Sequence, residues 1–491
     1  MSPPPEHDFD VLTTTADELQ LLLRSRRIDS VQIVKRYLEQ IGKYNDKLRA
    51  VICVSPGVEA VARKLDGERA RGRERGLLHG IPIIVKDAFN TKQSMGMSTT
   101  VGSTALLGSK VEKNARLVDA LIDQGLIILG KANLTVSFMP PVLVELALNP
   151  STQEFCGLKG VGGWSAVGGL CQSPYMAGGF IPGSKRRDES APGGSSTGSA
   201  VGVAAGFAPL SLGTETSGSL TTPASRAALY ALKLTPGAVS MEGAPSLVKA
   251  IQQTWDGISV GFVDIELWRL PPEARGDVPG YNEQSARDYS HAIELLRKSG
   301  ANVVHPVYIT PPEEWGVEDR TNVSDLMDDI LHSQVRAGCE YYLGTLHDNE
   351  LKTLQDIIDY NSSHSDKEFH EVFCPNQNGL IKAQSAHMSP EETVKNLEIC
   401  KKWSATEGVD KVIAEHGVDV IVAPADSFFA GVGVGARYPL ASIPFGYVDS
   451  SGRPYGLHVI AKANEEDKII KFMGMWEKTV ALRRVPDVSA L

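Results

Sequence analysis

Apolar residues recur at helical spacing through the first seventy positions. Val31, Val34, Leu38 and Ile41 fall on one helical face, the repeat of a helix packed on a core. Two capping boxes announce helix starts, Thr15 with Glu18 and Asp29 with Gln32, each pairing a side-chain acceptor with a partner that reaches back. A further helix is predicted from Val58 to Arg71. The period then changes: Ile81 to Val85 is a short unbroken apolar run, predicted as a buried strand. Another αβ unit follows, a helix over Asn114–Gln124 and a strand over Leu126–Leu129. Downstream the pattern predicts a strand at Ile258–Val263, a helix at Ala286–Lys298 and a short strand at Asn302–His305. A polar, mostly helical stretch follows from about 320 to 416. Strands at Val418–Val422, Pro439–Phe445 and Tyr455–Ala461 and a helix from Glu465 to Val480 complete the chain. Such alternation predicts a layered α/β fold around a central sheet.

Charge and composition narrow the function classes. The 491 residues are 42% hydrophobic and 22% charged, ordinary for a globular protein with a large core. A net charge of −10 argues against nucleic acid, which requires a concentrated basic surface. The cluster Arg71, Arg73 and Arg75, interrupted by Glu74, reads as a solvated face. Six scattered cysteines without a CxxC indicate free thiols, neither a disulfide framework nor a zinc site. Eleven histidines include no HExxH, so no metal and no cofactor is expected. Met1 to Asp10 lacks the apolar run of a signal peptide. The longest apolar segment, Phe138–Leu148, is too short to span a membrane. A cytoplasmic protein is the expectation.

From Gly157 to Gly218 the chain turns rich in glycine, serine and alanine. Pro192-Gly193-Gly194-Ser195-Ser196-Thr197-Gly198-Ser199-Ala200 fits a linker poorly, because it runs into the small-residue helix pattern Val201–Phe207. It lacks the lysine of a phosphate loop. Gly194 to Gly198 matches the G-x-S-x-G of a nucleophile elbow with Ser196 central, yet an irregular run precedes it where an elbow needs a strand. A second turn, Gly213-Thr214-Glu215-Thr216-Ser217-Gly218-Ser219, offers a hydroxyl beside backbone N–H groups. Alone, Ser219 is as easily an unreactive turn serine. Lys86, leaving the Ile81–Val85 strand, is either a lysine snorkelling into water or a desolvated base. Gly431 to Ala436 imitates a dinucleotide fingerprint, without an evident strand–turn–helix context.

Taken together, three segments resemble the amidase signature family: His79 to Asp87, the GGSSTGSA run from Gly193 to Ala200, and the GTETSGSL run from Gly213 to Leu220. Ser195 and Ser219 lie 24 positions apart, as the family motif requires. The likeness extends through Gly130 to Leu134, Leu232 to Gly237 and Pro454 to Leu457, up to Trp476. Gly163 to Gly169 and GTET resemble the fungal and peptide-amidase-like branch. The resemblance implies one α/β/α domain over 1–491 with a large mixed central sheet, its 257–416 part variable and on the substrate side. It implies Lys86 as base, Ser195 as relay and Ser219 as nucleophile of an acyl-enzyme mechanism, with a cis Gly194–Ser195 peptide. The backbone N–H groups of Thr216, Ser217, Gly218 and Ser219 would form the oxyanion hole, and Ser199 would support the lysine. The implied partner is a small carboxamide or peptide-like amide; a homodimer is compatible with the reading, which leaves oligomeric state open.

Three departures stand out. Ser217 and Thr221 occupy positions where family members commonly carry Gly and Arg. Residues Val136 to Gln153 separate Asn133-Leu134-Thr135 from Glu154-Phe155, and their removal restores the pattern. These 18 residues have the size of a short fungal intron; we read them as a translated retained intron against the alternative of a surface loop, and a dominant transcript encoding them would overturn that reading. The segment from Ser240 to Ile258 is shorter than the family pattern. The insertion and the shortened segment motivate one competing function, a catalytically impaired or misannotated homologue; the other is a glutamyl-tRNA amidotransferase-type subunit, against which the acidic charge and the fungal-type features weigh.

Overall fold

Both capping boxes form. Thr15 accepts the Glu18 N–H ahead of the Ala16–Arg24 helix, and Asp29 accepts that of Gln32 ahead of Ser30–Leu48. Each such cap contributes about 1 kcal/mol. The structure is a computed structural model and describes residues 9–135, 162–176, 178–180, 190–238, 254–270, 278–311, 314–315, 323–480 and 483–491. The suspected insertion at 136–153 lies outside the described residues, as does most of the shortened 240–258 segment.

Strand β1 (Val51–Val54), unmarked by any periodicity, pairs antiparallel with β3 (Ile127–Ala132). β3 runs parallel to β2 (Pro82–Lys86), which in turn pairs with β6 (Leu210–Leu212). These four make one sheet in the order β1-β3-β2-β6. A small hairpin joins β4 (Trp164–Ser165) to β5 (Gly169–Leu170). The second sheet has six strands: β7 (Ala231–Lys233), β8 (Ser259–Val263), β9 (Asn302–Val307), β10 (Val420–Pro424), β11 (Leu440–Tyr447) and β12 (Pro454–Ile460). Their order is β7-β11-β12-β10-β8-β9. β8 is parallel to β9 and β10, while β7, β11, β12 and β10 alternate antiparallel. The layered α/β expectation holds. The mixed sheet is hydrogen-bonded in two parts, and the chain passes from one to the other between β6 and β7.

Apolar burial follows the helical faces read from the sequence. Ile33, Val34, Tyr37 and Ile41 pack with Leu19, Leu23, Ile81, Ile84 and Phe207. On the other side of the molecule Ile293, Leu296, Phe472 and Trp476 cover Val260, Phe262, Val422 and Val459. The 323–416 stretch is helical, with a π-helical run at Lys402–Val409. Arg75 departs from the solvated reading: its guanidinium holds the Glu68 carboxylate through two contacts of 2.7 Å and donates to the Ile122 carbonyl.

The Gly431–Ala436 segment does follow a strand, contrary to the sequence expectation. Its glycines lie inside the Phe429–Gly435 helix, where a Cβ on Gly433 would press Leu440 and one on Gly435 would meet Ser404. Gly433 and Gly435 serve helix packing.

Candidate active site

Lys86 is the last residue of β2, a strand buried at every position. The end of a buried strand delivers an amine where water is excluded, and burial lowers the lysine pKa to about 7, against a smaller opposing pull from Glu215. Its Nζ donates to Ser195 Oγ at 2.8 Å and to Thr214 Oγ1 at 2.6 Å. Thr214 carried no role in the sequence reading, because its approach to Lys86 depends on β6 lying beside β2.

Next in sequence, Asp87 meets Lys131 of β3 at 3.3 Å, with both side chains fully buried. Burial pushes Asp87 up and Lys131 down, and each opposes the shift in the other. Lys131 also donates to the Phe89 carbonyl at 2.5 Å and to Thr99 Oγ1 at 3.0 Å. Asp87 takes the N–H and hydroxyl of Thr100. The pair anchors the loop beyond Lys86.

Ser195 follows a cis Gly194–Ser195 peptide and opens the loop before the Thr197–Ala204 helix. That helix lies directly on the end of β3. A Cβ on Gly198 would come within 2.2 Å of the Ala50 carbonyl and 2.4 Å of the Asn133 amide nitrogen, so only glycine permits the approach. Ser196, the elbow candidate, is committed elsewhere: its hydroxyl donates to the Thr214 carbonyl and accepts the Thr214 N–H, each at 3.1 Å. It braces the segment that carries Lys86's second partner.

The Ser219 turn arrives through the backbone. Ser196 N–H donates to the Ser219 carbonyl at 2.8 Å, which sets the turn beside the Ser195 loop. Gly218 has φ +87°, a conformation glycine adopts without a Cβ penalty. Glu215 organises the start of the next helix: its carboxylate accepts the N–H groups of Ser219, Leu220 and Thr221, each at 2.9 Å, and the Thr221 hydroxyl at 3.1 Å. The contact made by Thr221, where the family commonly has Arg, is thus to Glu215.

Two sequence expectations change. The Ser219 N–H, counted in the oxyanion hole, is bonded to Glu215. Among the described residues the N–H groups of Thr216, Ser217 and Gly218 have no hydrogen-bond partner. Ser199 does not reach the lysine: its hydroxyl donates to the Leu212 carbonyl at 3.0 Å and holds β6, while Thr214 takes the place expected for it.

Behind the turn, Arg226 ends the Thr221–Arg226 helix. It meets Asp426 at 3.1 Å, and Arg453 meets the other oxygen of the same carboxylate at 3.0 Å, all three nearly fully buried. Burial works to raise the Asp426 pKa, but the two guanidinium groups outweigh it and hold the carboxyl well below the usual range. Arg226 also donates to the Ala191 carbonyl at 3.2 Å, tying the Thr221–Arg226 helix to the chain leading into Ser195. Arg226 and Asp426 alone lie 200 positions apart, beyond the reach of local pattern. Among the described residues no group of three or more His, Cys, Asp or Glu is arranged to hold a metal. No described helix is long and apolar enough to cross a membrane.

The site thus sets a buried strand-end lysine, hydrogen-bonded to a serine, beside a glycine–serine turn, and likeness to known proteins gives its class. The family model described as Amidase matches residues 32–144 and 172–260, and over those residues the chain is similar to the amidase signature family. Its reaction class is the hydrolysis of carbon–nitrogen bonds in linear amides. The break in that match, 145–171, overlaps the suspected insertion. The native peptide amidase of Stenotrophomonas maltophilia is 28% identical, with a TM-score of 0.77 over 97% of this chain and 99% of that one. An Arabidopsis thaliana protein named a probable amidase is 28% identical over 98% of this chain and 93% of its own length. A glutamyl-tRNA(Gln) amidotransferase subunit from Acidothermus cellulolyticus is 31% identical over 50% of this chain and 42% of its own.

Proposed function

We propose that the protein hydrolyses a small carboxamide or peptide-like amide through an acyl-enzyme built on Ser219, Ser195 and Lys86. The observation that carries this reading is the 2.8 Å contact between Lys86 Nζ and Ser195 Oγ, made by an amine whose pKa burial lowers to about 7. Near neutral pH about half of such lysines hold a free electron pair.

In the forward step neutral Lys86 takes the Ser195 proton, Ser195 takes the Ser219 proton, and Ser219 Oγ bonds to the amide carbon. The N–H groups of Thr216, Ser217 and Gly218 meet the developing oxyanion. Collapse breaks the C–N bond as Ser195 returns a proton to the leaving nitrogen. Water then repeats the attack on the ester and releases the acid and Ser219. Likeness to a peptide amidase over nearly the whole chain supports the peptide-like end of the substrate range. Likeness to amidotransferase subunits reaches 31% identity over half the chain and 24% over nearly all of it, the latter below the 28% shared with the peptide amidase, and supports that second reading less.

The test is turnover by the purified chain on a panel of peptide amides and aryl amides. The expected result is activity in the wild type, lost by at least ~10³-fold in Ser219→Ala and Lys86→Met. Undiminished turnover in either variant would remove that residue from the mechanism. A wild type inert on every amide would favour the impaired-homologue reading.

A further inference from the structure

Three helices on the six-stranded side of the molecule enclose a hollow of about 170 Å³, and no residue of the candidate active site lines it. Met327 and Ile330 reach it from the Val323–Gly344 helix, Val394 and Leu397 from Pro390–Lys401, and Val434 from Phe429–Gly435. Its apolar floor continues the core shared with Ile421 and Ile460, while Val394 is 56% exposed. A dry apolar cavity of about 150 Å³ holds benzene, so this one suits a hydrocarbon body of about six to eight carbons. The polar lining is Lys401 and Arg437 against a single acid, Glu398, all three exposed. Neither cation is in an ion pair or a side-chain hydrogen bond among the described residues. The carbonyls at the two helix ends favour basic residues there, but they do not account for the apolar hollow beside them. One wall adds an unmet polar group. Ser404 is fully buried and its hydroxyl has no hydrogen-bond partner among the described residues; it lies 2.3 Å from where a Cβ on the lining residue Gly435 would stand.

We propose that this hollow is a second, non-catalytic binding site for a monocarboxylate with a short hydrocarbon body. The body displaces water from the apolar floor, and the carboxylate meets the Lys401 ammonium and the Arg437 guanidinium. A cationic head group on the same body meets two like charges against one acid. No residue of the Lys86–Ser195–Ser219 site takes part, so binding here is independent of the amide reaction.

The test is isothermal titration calorimetry on the full chain, with sodium octanoate as probe and octylamine as its cationic counterpart. Octanoate should bind the wild type with a Kd below ~1 mM, and octylamine at least ~10-fold more weakly. Lys401→Ala combined with Arg437→Ala should weaken octanoate ~10-fold. Val394→Glu places a second acid among the lining residues, so it should weaken octanoate ~10-fold and strengthen octylamine. All three positions are exposed, so the variants should fold, which circular dichroism checks. Octanoate held by both variants within ~3-fold of the wild type would be sitting elsewhere, the active site included, and overturns the proposal. Absence of binding to the wild type overturns it too, as does octylamine binding as tightly as octanoate. The readout is binding alone, so a wild type inert on every amide would bring down the Ser219 reading and leave this test decisive.

Discussion

Removing the Thr214 hydroxyl should shift the pH at which the enzyme becomes active while leaving the fold in place. Thr214→Val preserves the branched shape and deletes one acceptor, the oxygen 2.6 Å from Lys86 Nζ. A hydrogen bond from a charged donor contributes about 1.5–3 kcal/mol and a neutral one about 0.5–1.5 kcal/mol. The hydroxyl therefore favours the ammonium over the amine by roughly 1 kcal/mol, or about 0.7 of a pK unit. Without it a lysine already lowered to about 7 by burial goes lower still. The acid limb of kcat/KM, which reports the free enzyme's base, should move from near pH 7 to near pH 6. The assay is the initial rate on a chromogenic anilide between pH 5 and pH 9, with far-UV circular dichroism to establish folding. A limb at or above the wild-type position in a folded variant refutes the reasoning, because Thr214 would then be no acceptor of the ammonium.

Two further outcomes concern stability. Asp426→Ala leaves Arg226 and Arg453 buried side by side without their shared carboxylate; breaking a buried pair costs about 3–5 kcal/mol, so the urea midpoint should drop clearly, and a loss under about 1 kcal/mol would contradict the account. His458, fully buried in β12, has its pKa lowered by burial to about 4. The unfolded chain, with an ordinary histidine near 6.5, takes up the proton first as pH falls. The neutral histidine's share of stability is thus intact above about pH 6.5 and is lost progressively toward pH 4, by roughly 3 kcal/mol in all. His458→Gln should flatten that part of the stability profile; an identical pH dependence in the variant would refute the assignment.

How far the sequence could be read depended on the range of the interaction. Both capping boxes, the amphipathic Ser30–Leu48 face and the buried β2 run are local, and each is legible in a window of a few residues. β1 and β7 were not legible: at four and three residues they are too short for periodicity, and pairing with β3 and β11 defines them. At the site, Lys86 could be placed at a strand end from its own neighbours. Thr214 could not, since its role requires β6 and β2 to be adjacent. Glu215 stood inside a quoted motif, yet nothing in the motif says that a side chain at that position turns back on its own backbone. The nearest available signal was an acidic residue just ahead of a helix start, which favours exposed N–H groups. Ser199 failed for a related reason: on a helix packed this closely, its hydroxyl reaches the neighbouring strand's carbonyl before any amine.

The passage from β6 to β7 has a mechanical meaning. Lys86 and Ser195 belong to the four-stranded side, whereas the helix following Ser219 packs on β11 and β12 of the six-stranded side, where Arg226 is clamped to Asp426 and Arg453. The Ser219 turn is therefore strung across a seam, held to the Ser195 loop on one bank by the Ser196 N–H and to the six-stranded side on the other by the helix that follows it. Slippage of one sheet past the other would shift Ser219 relative to the Lys86–Ser195 pair without breaking a single strand pairing. Catalysis should then fail on heating before either sheet melts, which makes turnover a more sensitive gauge of the alignment of the two sheets than any measure of secondary structure.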